Sequence, residues 1–133
     1  MRILIDTDVL LDFALRSEPF APASKWVISW AEENPGHAAI AWHSLSNVAY
    51  LAPSGASAFF RELLGFVEIP KVGTADAVRA LRLSMSDLED SLQASAALAF
   101  HATFIVTRNT RDYRRSPVPA ISPQEFRSKT SRL

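Results

Sequence analysis

The chain has 133 residues, with 14 basic and 14 acidic side chains, 48% hydrophobic residues and no cysteine. That length suits one domain spanning residues 1–133, and the composition excludes a disordered or collagen-like chain. Disulfide frameworks, thiolate nucleophiles and Cys-ligated zinc are excluded by the missing cysteine.

The chain opens on an apolar run, Ile3-Leu4-Ile5, that ends in Asp6-Thr7-Asp8. It reads as a buried strand feeding a helix from Val9 to Leu15. Residues 21–33 form a helix by the spacing of Trp26, Val27 and Trp30, and Pro35-Gly36 breaks it. Ala38 to Trp42 is a second strand. Ser44 is placed to cap a helix that runs to about Leu51 and stops before Pro53. A further helix covers about 55–65, and Phe66 to Pro70 is a third strand. Thr74 caps a helix over Ala75–Leu83, and Ser86-Asp87-Leu88-Glu89 has the capping-box form that starts an Ala-rich helix at 87–101. Phe104-Ile105-Val106 is a fourth strand, Val118 to Ile121 a fifth at the sheet edge, and Ser122-Pro123 opens a last short helix.

Short apolar strands alternating with helices predict a three-layer α/β/α sandwich around a central parallel sheet. Ligands of such sheets gather at the C-terminal strand ends. This singles out Asp6 and Asp8, the 42–47 segment, and Thr107 to Asp112. No apolar run approaches the ~18–20 residues of a membrane span, and the first residues lack the form of a signal peptide. A cytoplasmic protein with no membrane contact is expected. Residues 108–133 hold Arg108, Arg111, Arg114, Arg115, Arg127, Lys129 and Arg132 against Asp112 and Glu125. Such an end is either a solvated tail or a track for a phosphate backbone.

Three acids are candidates to converge at that edge: Asp6, Asp90 and Asp112. Two carboxylates ~4 Å apart repel by about 4 kcal/mol at an effective dielectric near 20, so three together call for a cation or a raised pKa. Mg²⁺ or Mn²⁺ suits hard oxygen ligands and keeps some of its waters. Each acid also has a plainer reading. Asp6 is placed to cap the first helix, Asp90 to favour a helix dipole, and Asp112 to join a surface ion network. Glu89 reads as the partner of Ser86 in a capping box. His37, His43 and His101 show no metal-ligand spacing, and the four glycines form no phosphate loop.

Taken together, residues 3–12, the Asp87-Leu88-Glu89-Asp90-Ser91-Leu92-Gln93 block, the run Thr107-Arg108-Asn109-Thr110-Arg111-Asp112-Tyr113 and the closing residues 117–126 resemble the PIN-domain family. These are the metal-dependent ribonucleases that include VapC-type toxins of bacterial toxin–antitoxin pairs. The resemblance covers nearly the whole chain. It implies that Asp6, Asp90 and Asp112 are catalytic residues holding one or two Mg²⁺ or Mn²⁺ ions. Activated water would then attack an RNA phosphodiester. It further implies that Thr107 and Asn109 line the pocket, and that the protein is a homodimer held in check by an antitoxin. Asn47 belongs to the same substrate-binding set, and Arg111 and Arg114 would line an RNA track. Many members carry Glu where Asn47 stands and Asp where Asn109 stands. Each amide removes a negative charge, so an inactive PIN-fold binding module is the alternative class. The opening Asp6-Thr7-Asp8-Val9-Leu10 is also similar to that of haloacid-dehalogenase-type phosphatases, where Asp6 would be a nucleophile. That class needs a downstream Lys, and Lys25, Lys71 and Lys129 follow no suitable strand end.

Overall fold

The computed structural model describes residues 1–131, so Arg132 of the basic tail lies outside the described residues. Four strands, β1 (Ile3–Ile5), β2 (Ala38–Ala39), β3 (Phe104–Val106) and β4 (Ala120–Ile121), form one parallel sheet in the order β2-β1-β3-β4. Seven α-helices cover it: α1 (Thr7–Ala14), α2 (Ala21–Glu33), α3 (Trp42–Leu51), α4 (Ala56–Leu63), α5 (Thr74–Arg82), α6 (Leu88–Ala99) and α7 (Pro123–Thr130). This is the three-layer sandwich that the alternating pattern predicts.

Successive side chains of a strand point to opposite faces, which sorts the core into two halves. Ile3, Ile5, Val106 and Ile121 pack with Val9, Leu10, Val27, Ile28 and Phe126, drawn from α1, α2 and α7. Leu4 and Ile105 face the other way, onto Ala94 and Ala97 of α6. Small residues let this helix lie close against the sheet. The strands are apolar on both faces because both faces are covered.

Several boundaries differ from the sequence reading. Strand β2 stops at Ala39. Beyond it the chain is still extended at Ala41 (φ −70°, ψ 148°) and then turns into α3, so Trp42 is helical. Ser44 does not cap α3, which has no side-chain cap; it is buried two residues inside the helix. Residues 66–70 do not make a strand. Glu68 forms one parallel bridge to Ala39, through Ile40 N–H to Glu68 O at 2.9 Å and Glu68 N–H to Ala38 O at 3.0 Å. Pro70 has no N–H with which to extend that pairing. Helix α1 begins at Thr7 because the Asp6 side chain accepts the Thr7 N–H. Helix α5 begins at Thr74 with Gly73 in the cap position, and the Gly73 N–H donates to Asp76 at 2.8 Å. Helix α6 is capped by Asp87, which accepts the Asp90 N–H at 3.2 Å, so Ser86 lies outside the cap and Glu89 is released from the expected box. The last helix starts where predicted, and there Ser122 and Glu125 do form a capping box.

Candidate functional site

In the order β2-β1-β3-β4 the chain leaves β1 for one neighbour and returns beside its other edge at β3. The C-terminal ends of β1 and β3 thus flank the topological switch point, where open parallel sheets bind ligands. Asp6 follows β1 and Thr107 follows β3.

Asp6 is buried and held from three sides. Its Oδ1 accepts the Thr7 N–H at 2.7 Å, and its Oδ2 accepts the Thr107 hydroxyl at 2.8 Å and the Tyr113 hydroxyl at 3.1 Å. Burial nevertheless raises its pKa, the three hydrogen bonds oppose the rise, and the charge of Glu89 adds to it. Tyr113 is held in its neutral form, because burial and then the charges of Asp6 and Asp90 raise its pKa.

Asp8 stands one helical step on. Its Oδ2 accepts from the Arg108 N–H at 3.0 Å and Asn109 Nδ2 at 3.2 Å, and lies 3.3 Å from Thr107 Oγ1, whose hydrogen goes to Asp6. Its Oδ1 is buried with no partner among the described residues. Burial first and the Asp6 charge second push the Asp8 pKa up to about 7. Asp90, half-buried in the first turn of α6, is pushed up to about 6 by burial, then by Asp87 and Asp6, with a smaller contribution from Asp112. Asp112 sits exposed in a 3-10 turn over Thr110–Tyr113. The structure therefore brings Asp90 within electrostatic reach of both Asp6 and Asp112. Among the described residues, no three acidic or histidine side chains are close enough to cage a metal ion as they stand.

The remaining expected residues divide. Thr107 and Asn109 are at the site through their bonds to Asp6 and Asp8. Asn47 reaches the edge from α3, its Nδ2 donating to Glu89 Oε1 at 3.2 Å. Arg111 and Arg114 are exposed beside Asp112 and make no ion pair among the described residues.

Sequence reasoning missed the roles of Asp8, Glu89 and Tyr113. It also missed the buried hub behind the site, in which Thr7 Oγ1 and Ser44 Oγ lie 2.8 Å apart and Gln93 Nε2 donates to both, at 3.2 and 3.0 Å. This hub ties α1, α3 and α6 together beneath the acids. The spacing of Asp8 and Asp12 by four residues was a usable signal, since it puts both on one helix face. His43, in the first turn of α3, has its pKa lowered by burial while Asp6 acts in the opposite sense.

The sequence pattern of the PIN domain matches residues 2–111. In three dimensions the chain is similar to a toxin–antitoxin complex component from Klebsiella pneumoniae, at 23% identity and a TM-score of 0.69, over 91% of this chain and 97% of that one. It is similar to a component of VapBC2 from Rickettsia felis bound to a promoter DNA fragment, at 18% identity and a TM-score of 0.69, over 92% and 98%. A third likeness is to FitAcB from Neisseria gonorrhoeae, at 14% identity and a TM-score of 0.63, over 92% and 98%. No curated protein matches the sequence.

Proposed function

Because the chain belongs to the PIN-domain family, we propose that it is a Mg²⁺- or Mn²⁺-dependent endoribonuclease, the toxin of a toxin–antitoxin pair. The observation that carries this reading is the gathering of carboxylates at the switch point. Burial first raises the pKa values of Asp6, Asp8 and Asp90, and neighbouring carboxylates add to each rise: Glu89 for Asp6, Asp6 for Asp8, and Asp87, Asp6 and Asp112 for Asp90. A divalent cation relieves that repulsion.

The donors fit that group. They are carboxylate oxygens with a threonine hydroxyl, the hard ligands that Mg²⁺ and Mn²⁺ take. Mg²⁺ keeps several waters and uses one or two carboxylates directly. Asp6, Asp90 and Asp112 would hold it, directly or through those waters. When bound, such an ion lowers the pKa of a water and offsets charge on a phosphodiester. The chain's own residues prepare the rest. Thr7, Thr107 and Tyr113 fix the orientation of Asp6 by hydrogen bonds, and the buried hub keeps the helix starts in register. Arg111 and Arg114, exposed and close to Asp112 in the chain, take the RNA backbone.

The phosphatase reading of Asp6 has no support beside the PIN-domain match over residues 2–111. The nuclease reading extends to an antitoxin and a second copy of the chain. A groove of about 990 Å³, lined by Phe13, Leu15, Val48, Leu51 and Phe59 among others, offers apolar surface for an antitoxin segment. Trp42, Tyr50 and Leu81 are exposed apolar residues available to a homodimer contact.

The ends of the RNA products test the chemistry. Attack by water leaves the 2′-hydroxyl uninvolved, so a mixed-sequence single-stranded RNA should be cut without 2′,3′-cyclic phosphate ends. Cyclic ends would show that the RNA's own 2′-hydroxyl is the nucleophile and would contradict the proposed chemistry.

A further inference from the structure

Asp8 faces the segment that leaves β3, and a single oxygen of its carboxylate takes two donors from it, the Arg108 N–H at 3.0 Å and Asn109 Nδ2 at 3.2 Å, with Thr107 Oγ1 3.3 Å away and its one hydrogen given to Asp6. One helical turn further on, Asp12 takes the guanidinium of Arg108, Nε at 2.6 Å and Nη2 at 3.3 Å. The ring of Phe20 covers that guanidinium, 4.0 Å from its centroid. Helix α1 therefore grips the segment at two points on one face. The segment runs directly into the turn that carries Asp112 and Tyr113, and the Asp112 N–H bonds to the Asn109 carbonyl at 3.0 Å.

The residue at 109 meets a carboxylate, so it has to donate. An Asp there would set two carboxylates against each other at the 3.2 Å the amide now spans. The same arrangement recurs across the edge, where Asn47 of α3 donates to Glu89 of α6 at 3.2 Å. We propose that Asp8 is a positioning residue of the site: with Asn109 as its matched donor, it fixes the 107–112 segment over the acidic edge. The amide at 109 is then one half of an acid–amide pair whose acid is supplied by α1, not a site from which an acid is missing. The proposal rests on the nuclease reading for what the edge does, but not for the pairing itself.

The test compares the wild-type chain with Asp8→Asn, Asn109→Asp, Asn109→Ala and the double exchange Asp8→Asn/Asn109→Asp. Thermal unfolding is followed without metal and across a Mn²⁺ series. Without metal, Asn109→Asp should lower Tm more than Asn109→Ala, and the double exchange should lose less than the two single exchanges together. In Mn²⁺, each single exchange should raise the half-saturating concentration roughly tenfold, as loss of a partner that orients a ligand does, and the double exchange should recover most of it.

Asn109→Asp that leaves Tm unchanged and tightens Mn²⁺ overturns the pairing, as do single losses that simply add in the double exchange. Coupling without metal alongside an unchanged Mn²⁺ response makes Asp8 a folding residue only and overturns its positioning role. If Asp8→Asn does not fold, Asn109→Asp against Asn109→Ala decides alone, since added charge must cost more than a removed amide. A wild-type chain whose Tm ignores Mn²⁺ contradicts the metal reading instead, and the comparison without metal then still decides the pairing.

Discussion

Asp90 carries its charge under pressure from burial, Asp87 and Asp6, which together push its pKa to about 6, and Asp8 is pushed further, to about 7. Both values lie above the ordinary 3.8, so the folded chain binds these protons more tightly than the unfolded chain. The stabilisation this gives is fully present below the unfolded pKa and is lost as pH rises through the folded values. His43 works in the opposite sense. Burial holds its pKa below 6.5, so its contribution grows as pH rises and the unfolded imidazole releases its proton. Removing Asp90 isolates the first effect. In EDTA, the Tm of Asp90→Asn should fall less between about pH 5 and about pH 8 than that of the wild-type chain. Melts at the two pH values check this, and an equally steep fall in the variant contradicts it. Ser44 offers a residue-scale test of the buried hub. It is fully buried and shares its hydroxyl with Thr7 and Gln93. Ser44→Ala leaves those partners under-satisfied and should cost about 1–3 kcal/mol in urea unfolding. Unchanged stability would show that the hub is not what ties the three helices.

Among the elements, α6 shows how composition sets a packing distance. Ala94 and Ala97 are fully buried against Leu4 and Ile105 of the sheet. Ala97→Leu would force a larger side chain into that contact and should destabilise the chain by about 1–3 kcal/mol in denaturant unfolding. No loss would mean that the helix lies farther from the sheet than its small residues imply. The same elements show what the sequence discloses. Three of the strands follow from apolar runs with few alternatives: Ile3–Ile5, Phe104–Val106 and the edge pair Ala120–Ile121. The last helix was legible because Ser122, Pro123 and Glu125 act locally. Errors came from reading local chemistry where tertiary structure decides, as at Ser44, which serves the buried hub and not a helix cap. Phe66–Pro70 has strand composition, but only Glu68 finds a partner. Ser86 has capping-box spacing, but Asp87 takes the cap, and Glu89 turns to Asn47 on another helix.

At the scale of the whole molecule, equal numbers of acidic and basic side chains hide a division of charge. Acids collect at the strand ends, and the exposed Arg111 and Arg114 stand next to them. If these arginines contact RNA phosphates, Arg111→Ala and Arg114→Ala should each weaken binding of single-stranded RNA across sequences and reduce its salt slope by about 1. An unchanged slope would remove them from the track. The sequence directed attention to the ends of β1 and β3, and the structure places Asp6 and Thr107 there, with Asp90 in the first turn of α6 and Asp112 in the turn after β3. The support of the site was not legible. Asp8 with Asn109, Tyr113 with Asp6, and Gln93 with Thr7 are 86 or more residues apart along the chain, and nothing in either local sequence marks the other. The most direct measurement is cleavage of a mixed-sequence single-stranded RNA by the purified chain in Mn²⁺, in Mg²⁺ and in EDTA, beside Asp90→Asn. A metal-dependent nuclease cuts in either ion, stops in EDTA and is lost in the variant. A well-folded chain that cuts nothing at high Mn²⁺, or cuts equally well in EDTA or as Asp90→Asn, contradicts a metal-dependent nuclease centred on Asp90.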